Sequence, residues 1–513
     1  MSVRPDASSW QAVAVPAPPG SAGRKSCQKF WFDRGGQVHK FTCTSITPFP
    51  AMQKTVQDPR PDSSNRRDFI KKSATAAATV AAVNQFKTPV YGQSQAPSSG
   101  RVLGANDRVN VGFIGIGPNI GKEHFENFVK NAGTYNSSIV GACDLFNKRR
   151  DWAKTTGNLK DADVTAEYRK LLDRKDVDAI LIATHDVWHG KLSIDAMEAG
   201  KHVYCEKPMT RYLGEAFQVY DVVKKTGRIY QVGSQGCSAL GWHKAAEMIR
   251  AGKIGVPVWA QGFYCRNKPK GEWNYTIEKE TLPENIDWDT WLGPVSKRPF
   301  SGEFFHRWRK FYPFCAGLLG DLAPHRLHPL MLATGNPEFP KRVACIGTSN
   351  VFPDKLAEPG TPARDVPEHQ QVIAEFPSGM LITVTCSSVS EKSPGFVIYG
   401  SKASLEIGNM GERIKMVPER DYAEEVDPED VTGLQPETVP NHERNWLDSI
   451  RANKPANANA ELAIRVQTVV SLAEISERLK IACLFDEKTR KITNDAGKEI
   501  TPMTYGWTTP NLS

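Results

Sequence analysis

The chain has 513 residues, with 65 Lys and Arg against 57 Asp and Glu, and a formal net charge of +8. Its length predicts several domains, and its 40% hydrophobic content excludes a wholly disordered chain. The charge excess lies entirely in residues 1–94, which carry 13 basic and 5 acidic side chains, whereas residues 95–513 carry 52 of each. A body with balanced charge gives no support for nucleic acid or a membrane surface as a partner.

The basic N-terminal segment carries an export pattern. Arg66 and Arg67 precede Phe69 and a mildly apolar Ala/Thr run over 73–83, an order that resembles a twin-arginine signal. The run is shorter than the roughly 20 residues that span a bilayer. We therefore expect residues 1–100 to be an extension, signal and linker, and the mature protein to be periplasmic. A basic amphipathic or disordered tail is the alternative.

Short apolar runs alternate with helical patterns from residue 109 onward. The runs cover 109–115, 138–144, 178–184, 202–206 and 228–233, and the helical stretches between them include 146–156, 189–199 and 212–226. This alternation is typical of βαβ units, so an α/β fold with a doubly wound parallel sheet is expected over residues 101–232.

The first run leads into a glycine-rich turn whose residues are candidate cofactor ligands: Gly115, Ile116, Gly117 and Asn119. In a dinucleotide-binding fold, glycines let the backbone approach the pyrophosphate at a helix N-terminus. Asp144 ends the second run, where a carboxylate accepts hydrogen bonds from ribose hydroxyls and repels a 2′-phosphate. The pattern favours NAD, while the basic residues 148–150 keep NADP as an alternative and a plain tight turn is the other interpretation.

Several later motifs resemble the Gfo/Idh/MocA oxidoreductase family, over about residues 107–495. They are Thr184 to His189 in the loop before the third helix, Glu206-Lys207-Pro208, the Trp-rich stretch 286–294, the Asp321-x-x-x-His325 element and the helical pattern from 442 to 479. The resemblance adds Thr184, His189, Glu206 and Lys207 to the candidate cofactor ligands.

The resemblance also implies a second domain over residues 233–495, followed by a tail over 496–513. This would be an α/β domain with an open, mainly antiparallel sheet, which in the family often supports homo-oligomers. The local sequence predicts strands at 256–266, 370–376, 379–387, 396–400 and 403–408. Residues 409–440 are rich in Pro, Glu and Asp and are predicted to form a loop.

Oxidation of a hydroxyl group requires a base near its proton and groups that hold the substrate over the nicotinamide. The resemblance assigns these catalytic roles to Lys207, Asp321 and His325. His325 would accept the proton, Lys207 would bind the same oxygen, and Asp321, on the same face of one helical turn as His325, would orient the histidine or the substrate. Taken singly, they could be a strand-end lysine, a helix cap and a core histidine.

Two further residues are candidate substrate ligands. Arg309 lies in a stretch with Trp308 and Tyr312, and such aromatic and guanidinium groups bind sugars, although surface packing explains them equally well. His328 stands where many family members carry an aspartate. A metal held by Asp321, His325 and His328 is disfavoured, because no further ligand pattern supports it. The ten cysteines form no C-x-x-C pair and are interpreted as buried thiols.

The predicted function is that of an exported NAD(P)-dependent oxidoreductase, which transfers hydride between a sugar or polyol-type hydroxyl and a tightly bound cofactor. An NAD-dependent glycosidase that works by transient oxidation and elimination is the alternative, disfavoured by the spacing of Asp321 and His325. A non-catalytic sugar-binding protein with the same fold is the third possibility, and the presence of Lys207, Asp321 and His325 together argues against it.

Overall fold

The computed structural model describes residues 30–32, 38–40, 107–351 and 363–507. The predicted export signal lies outside these residues. The chain divides into an N-terminal unit, Met1–Phe86, and a second unit, Lys87–Ser513. In the first unit, strands β1 (Phe30–Phe32) and β2 (Val38–Lys40) pair in antiparallel fashion.

A six-stranded parallel sheet forms the first domain of the second unit. Its strands are β3 (Val109–Ile114), β4 (Ser137–Cys143), β5 (Val164–Thr165), β6 (Ala179–Ile182), β7 (His202–Glu206) and β8 (Tyr230–Gly233). Their order is β5-β4-β3-β6-β7-β8. The chain adds strands on one side of β3 up to β5 and on the other side from β6 onward, and this change between β3 and β6 opens a crevice beyond the carboxyl ends of these parallel strands. The predicted doubly wound parallel sheet is confirmed.

Helices cover both faces of this sheet, as the apolar strand sequences require. They are α1 (Ile120–Lys130), α2 (Ala132–Tyr135), α3 (Asn147–Thr156), α4 (Arg169–Leu172), α5 (His189–Glu198) and α6 (Leu213–Thr226). Helix α6 shows why the boundaries fall where they do. The Glu215 carboxylate accepts a hydrogen bond from the Tyr212 amide at its start, and Gly227 ends it with φ +63°.

An eleven-stranded sheet forms the second domain, and its mainly antiparallel character agrees with the prediction. Its strands are β9 (Pro257–Cys265), β10 (Arg342–Thr348), β11 (His369–Glu375), β12 (Leu381–Ser387), β13 (Phe396–Gly400), β14 (Ala403–Ile407), β15 (Ile414–Pro418), β16 (Glu429–Val431), β17 (Cys483–Asp486), β18 (Lys491–Asn494) and β19 (Glu499–Ile500). The order is β16-β15-β14-β13-β9-β12-β11-β10-β17-β18-β19, with β9 and β12 parallel.

The predicted loop over 409–440 is wrong in part, because β15 and β16 lie within it. Ile414 and Met416 are buried on alternate positions of β15, a two-residue period that the surrounding charged residues obscure in the sequence. β19 likewise lies in the segment predicted as a tail.

The remaining helices follow the last strand of the six-stranded sheet along the chain. They are α7 (Leu240–Arg250), α8 (Trp288–Leu292), α9 (Gly302–Arg307), α10 (Leu318–Asp321), α11 (Pro324–Ala333), α12 (Val439–Ala452) and α13 (Ala460–Leu479). Helix α13 packs against β10, α6 and α11. Trp446 and Leu447 of α12 complete the apolar cluster around β3, so the C-terminal part of the chain returns to the first domain. None of the described helices has the length and apolar character of a transmembrane span.

The large sheet leaves apolar side chains exposed between buried ones. Ile346, Ile373 and Leu381 are 75%, 49% and 39% exposed, on neighbouring strands β10, β11 and β12. Such a patch is typical of a surface that another protein covers. The homo-oligomer stays a prediction, which sedimentation velocity would test; a monomer at high concentration would contradict it.

A buried Glu–His–Glu cluster joins α1, β7 and α12. The ring nitrogens of His124 lie 2.9 Å from Glu206 Oε1 and 2.5 Å from Glu443 Oε1, and Tyr135 donates to Glu443 Oε2 at 2.7 Å. Burial alone would lower the pKa of His124, but its two carboxylate partners raise it to about 10. The cluster therefore holds an imidazolium between two carboxylates, and Glu206 is fixed by it.

We expect His124→Gln to destabilise the protein by about 3–5 kcal/mol near pH 6, because two buried carboxylates lose their cation. The folded-state pKa is raised, so the stabilisation is fully present below about pH 6.5 and is lost as pH rises through about 10. Thermal unfolding across this range should show the two proteins converging at high pH. His369→Gln, at the partly exposed first position of β11, is the control; a difference independent of pH would contradict the charged cluster.

Candidate active site

The glycine-rich turn lies at the mouth of a cavity of about 880 Å³, beyond the carboxyl ends of β3, β4 and β6. Gly115 has φ +86°, and a Cβ there would stand 2.7 Å from the carbonyl oxygen of Ala183. Only glycine fits this turn. Gly117 has open space where its Cβ would be, and with Asn119 it lines the cavity just before α1 begins.

Asp144 follows β4 and lines the same cavity. Its carboxylate accepts hydrogen bonds from the amides of Ile116 at 2.7 Å and Phe146 at 2.9 Å. One side chain therefore fixes both the glycine-rich turn and the start of α3. The Arg149 guanidinium lies 3.9 Å from the carboxylate and also lines the cavity.

A segment of the second domain, residues 283–294, closes over this cavity; we call it the strap. Ile286 forms a β-bridge with Phe146, and the Asp287 amide donates to the carbonyl of Leu145 at 3.2 Å. The Trp188 indole donates to the carbonyl of Thr290 at 3.1 Å. These contacts fasten the strap to the loops that follow β4 and β6.

Two tryptophan rings of the strap stack with the ring of His185. The rings of His185 and Trp291 stack 4.3 Å apart, and Trp288 stacks on the other side of Trp291 at 4.7 Å. His185 lines the cavity, and its Nε2 is buried without a hydrogen-bond partner. Burial lowers the pKa of His185 to about 3, so this ring is neutral.

Four donors converge on the carboxylate of Asp321. Lys207 Nζ and Arg309 Nε reach Oδ1 at 2.6 and 2.9 Å, while Trp273 Nε1 and an Arg266 nitrogen reach Oδ2 at 2.9 and 3.4 Å. Lys207 Nζ also donates to the Asp321 carbonyl at 2.8 Å. Burial alone would raise the pKa of Asp321, but Lys207, Arg309 and Arg266 hold it well below its usual range, so it stays ionised.

His325 lies one short turn beyond this carboxylate. The predicted single helical turn is wrong, because α10 ends at Asp321 and Pro324 begins α11. Among the described residues, Asp321 forms no hydrogen bond with His325; its lone pairs are taken by the four donors. The predicted orienting role of Asp321 toward the histidine is therefore corrected: Asp321 fixes Lys207 and Arg309 instead.

The surroundings of His325 keep its ring neutral. Its ring lies 5.5 Å from that of Tyr264, which Arg326 also contacts. Burial, Lys207 and Arg326 hold the pKa of His325 well below its usual range. A neutral imidazole can accept a proton, but the nearby cations Lys207 and Arg326 destabilise the protonated ring.

The structure places three other predicted ligands away from the cavity. His189 is buried with its ring nitrogens 2.7 Å from the Pro208 carbonyl and 3.2 Å from the Thr184 carbonyl, so it holds the two loops together. Glu206 belongs to the buried cluster with His124. His328 is buried, with Nδ1 2.9 Å from the Pro324 carbonyl. Like Lys207, Asp321 and His325, these three residues do not contribute to the lining of the cavity, and their roles in binding cofactor or substrate stay predictions. Thr184 and Arg309 do line the cavity.

Sequence reasoning missed Arg266 and Trp273, which contact Asp321, and Tyr275, which lines the cavity. All three lie on the segment that follows β9. Trp273 has φ +65°, a backbone conformation that costs a bulky residue about 1–3 kcal/mol and so marks a constrained position. No periodicity or spacing in this segment points to Asp321, about fifty residues further along the chain.

The residues fit a bound dinucleotide. The glycine-rich turn leaves room for phosphates beside the α1 N-terminus, Asp144 stands at the ribose position, and the cavity size lies within the range of small-molecule sites. No group of three or more His, Cys, Asp or Glu side chains in the described part of the chain is arranged to hold a metal.

Comparisons with known protein families agree with this geometry. Residues 109–234 match the model described as "Oxidoreductase family, NAD-binding Rossmann fold", and residues 295–406 match "GFO/IDH/MocA C-terminal domain". The first domain is an NAD-binding Rossmann domain, as predicted. The two matches, in this order, support the assignment to the Gfo/Idh/MocA oxidoreductases.

The individual relatives match shorter parts of the chain. A "Glycosyl hydrolase family 109 protein" of Shewanella baltica is 33% identical over 175 residues, 32% of this chain and 37% of that protein. An "Alpha-N-acetylgalactosaminidase" of Shewanella oneidensis is 32% identical over 181 residues, with the same coverage. The match thus spans little more than a third of these relatives. The structure "Levoglucosan dehydrogenase, complex with NADH" has a TM-score of 0.55 at 20% identity, covering 72% of this chain and 98% of that one, and shares the fold.

Gly115→Ala should weaken nucleotide binding, because the new methyl group meets the Ala183 carbonyl at 2.7 Å in a backbone conformation that disfavours alanine. We expect the affinity for NAD, measured by calorimetry on nucleotide-free protein, to fall at least about tenfold, or about 1.4 kcal/mol. Gly133→Ala, in helix α2 with open space around it, should leave the affinity unchanged. Equal affinities in all three proteins would show that this turn does not hold the nucleotide.

Proposed function

We propose that the protein transfers hydride between a sugar hydroxyl carbon and a tightly held NAD. The observation that carries this proposal is the fixed position of Lys207, which Asp321 holds beside the cofactor cavity. When bound, NAD supplies the hydride acceptor. NADP is the less favoured cofactor, because the Asp144 carboxylate stands where its 2′-phosphate would lie.

The arrangement of donors supports this chemistry. A lysine ammonium has three donors, and Asp321 takes two of those of Lys207, which leaves the third for a substrate oxygen. Neutral His325 accepts the hydroxyl proton, while the C–H electrons leave as hydride. Arg309, held by Asp321 and exposed to the cavity, is placed to bind a further hydroxyl of the sugar.

Tight retention of the cofactor is part of the proposal. The strap is fastened over the cavity at Leu145, Phe146 and Trp188. The Tyr505 hydroxyl lies within hydrogen-bond distance of the Val187 carbonyl, at 3.1 Å, and of the Glu215 carboxyl group, at 3.0 Å, and Tyr505 lines the same cavity. A cofactor enclosed from both sides would be re-oxidised in place, by a second substrate or by return of the hydride.

The second candidate is a glycosidase that takes hydride and returns it within one turnover. Transient oxidation would acidify the neighbouring C–H and allow elimination of the glycosidic substituent. The glycosidase names of the Shewanella relatives favour it. It needs the same Lys207, Asp321 and His325. A sugar-binding protein without activity is the remaining alternative.

One experiment separates these functions. The purified protein is denatured and any released nucleotide is identified by mass, and the native protein is incubated with levoglucosan, D-glucose and an aryl α-N-acetylgalactosaminide. We expect bound NAD and its reduction by a sugar. Release of the aryl group without net reduction would establish the glycosidase, and failure to hold or bind NAD would overturn both enzymatic proposals.

Lys207→Ala should lower turnover about 10²–10⁴-fold, because the substrate oxygen loses its fixed donor. Bound NAD should remain, since the glycine-rich turn and Asp144 are untouched. Steady-state rates and nucleotide content are measured beside Lys225→Ala, whose side chain is 72% exposed on α6. Full activity in Lys207→Ala would refute the assigned role.

We further propose export by the twin-arginine route, supported by the sequence pattern at Arg66 and Arg67 alone. Replacing both arginines with lysine should leave the protein in the cytoplasm of its host, as fractionation would measure. Unchanged location of that variant would contradict export by this route.

A further inference from the structure

Arg309 has two terminal nitrogens that bind no group of the described chain. Its Nε donates to Asp321 Oδ1 at 2.9 Å, and Lys207 Nζ donates to the same oxygen at 2.6 Å. Within the described residues, neither Nη1 nor Nη2 of Arg309 forms a hydrogen bond, and neither is fully buried. The side chain is 15% exposed, and Arg309 lines the cavity. An unused edge of the guanidinium therefore lies at the cavity, next to the ammonium that is proposed to bind the substrate.

Two contacts fix the orientation of this guanidinium. Asp321 binds Nε, and Cζ lies 4.1 Å from the centre of the Trp308 ring. A guanidinium held in this way presents two parallel N–H groups, which match the two oxygens of a carboxylate. A hydroxyl group has a single oxygen and leaves one of these N–H groups without a partner. The geometry therefore favours a carboxylate as the ligand of Arg309.

The charges around Asp321 also favour an anion. Three cations lie within 3.4 Å of its carboxylate, namely Lys207, Arg309 and Arg266. Glu272, which lies 3.0 Å from Arg266, is the second acid of the cluster. Three positive charges thus face two negative ones, and a ligand with one negative charge would balance them.

Two other anions could act on Arg309. Asp186 interacts with it electrostatically, but within the described residues Asp186 forms no hydrogen bond or ion pair, and burial raises its pKa to about 7. It therefore carries only part of a charge near neutral pH. The phosphates of a bound dinucleotide are expected at the Gly115 turn and the N-terminus of α1. Arg309 instead shares an acceptor oxygen with Lys207, whose proposed partner is the substrate.

We propose that the substrate is an acidic sugar and that Arg309 binds its carboxylate, in place of a further hydroxyl group. Hydride still leaves the carbon whose oxygen Lys207 binds, and the carboxylate takes no part in the bond changes. The site discriminates against the corresponding neutral sugar, because that sugar leaves the guanidinium without its counter-charge. This inference rests on the proposed hydride-transfer function at the same site.

Matched pairs of sugars test the proposal. The methyl glycosides of glucose, galactose and mannose differ from the corresponding methyl uronosides only at C6, which carries a hydroxyl group in one and a carboxylate in the other. Binding to the NADH-loaded enzyme is measured by calorimetry, and reduction is measured with the NAD-loaded enzyme, in buffer without carboxylate or phosphate. The acid of at least one pair should bind at least about tenfold more tightly, because it forms a charge-assisted pair of hydrogen bonds.

Arg309→Met should remove this preference, because the side chain keeps its length but loses its charge and its N–H groups. Bound NAD should remain, since the glycine-rich turn is unchanged. The readout is the ratio between acid and neutral sugar, because Arg309 also holds Asp321 and its loss affects every substrate. Arg420→Met, whose side chain is 95% exposed, is the control and should keep the preference. If Arg309→Met does not fold, Arg309→Lys takes its place and should keep only part of the preference.

The outcomes separate the two proposals. Equal or tighter binding of the neutral sugars, or a preference that survives in Arg309→Met, overturns the carboxylate site and leaves hydride transfer standing. Loss of NAD from Arg309→Met would show that the guanidinium binds the cofactor phosphates, and it also overturns the carboxylate site. Tighter binding of an acid without reduction of NAD supports the carboxylate site and contradicts the proposed hydride transfer. Failure to bind NAD contradicts the proposed function.

Discussion

The site depends on one carboxylate that compensates several buried cations. Asp321 accepts hydrogen bonds from Lys207 of the first domain and from Arg309, Arg266 and Trp273 of the second. Removing one partner of a buried ion pair costs about 3–5 kcal/mol, because the other partner keeps its desolvation penalty. Asp321 therefore joins the two domains beside the cavity and fixes the Lys207 ammonium, which is proposed to bind the substrate oxygen.

A second charged cluster lies on the other side of the same strand end. Glu206 and Lys207 are consecutive residues, and consecutive side chains of an extended chain point in opposite directions. Glu206 is held by His124 and through it by Glu443, while Lys207 is held by Asp321. The end of β7 is thus held on both sides. Helix α12 contributes to the position of Lys207 through Glu443, although none of its residues lines the cavity.

The residues that line the cavity bear on how a bound cofactor would be recycled. The strap, His185 and Tyr505 all contribute to the lining of this cavity. The proposed tight retention of the cofactor would let both the sugar oxidoreductase and the transient-oxidation glycosidase complete a redox cycle without free cofactor.

Much of the fold follows from local sequence. Apolar runs that alternate with helical patterns, a glycine-rich turn and an acid ending the next strand determine the Rossmann domain, because each signal is a property of a few consecutive residues. The family resemblance also identified Lys207 and Asp321. It did not reveal that Asp321 binds four hydrogen-bond donors, because these donors come from segments that only folding brings together.

The sequence by itself determined the parallel sheet and the nucleotide turn, and its resemblance to a known family pointed to Lys207 and Asp321. Only the tertiary structure decided which side chains meet. His124 and Glu443 are 319 residues apart, and Trp273 reaches Asp321 across 48 residues without any periodic pattern between them. It also decided that His189 and His328 are buried in the interior. Hydrophobic periodicity reports the face on which a residue lies, whereas the partner of a buried polar group depends on long-range packing that no local pattern encodes.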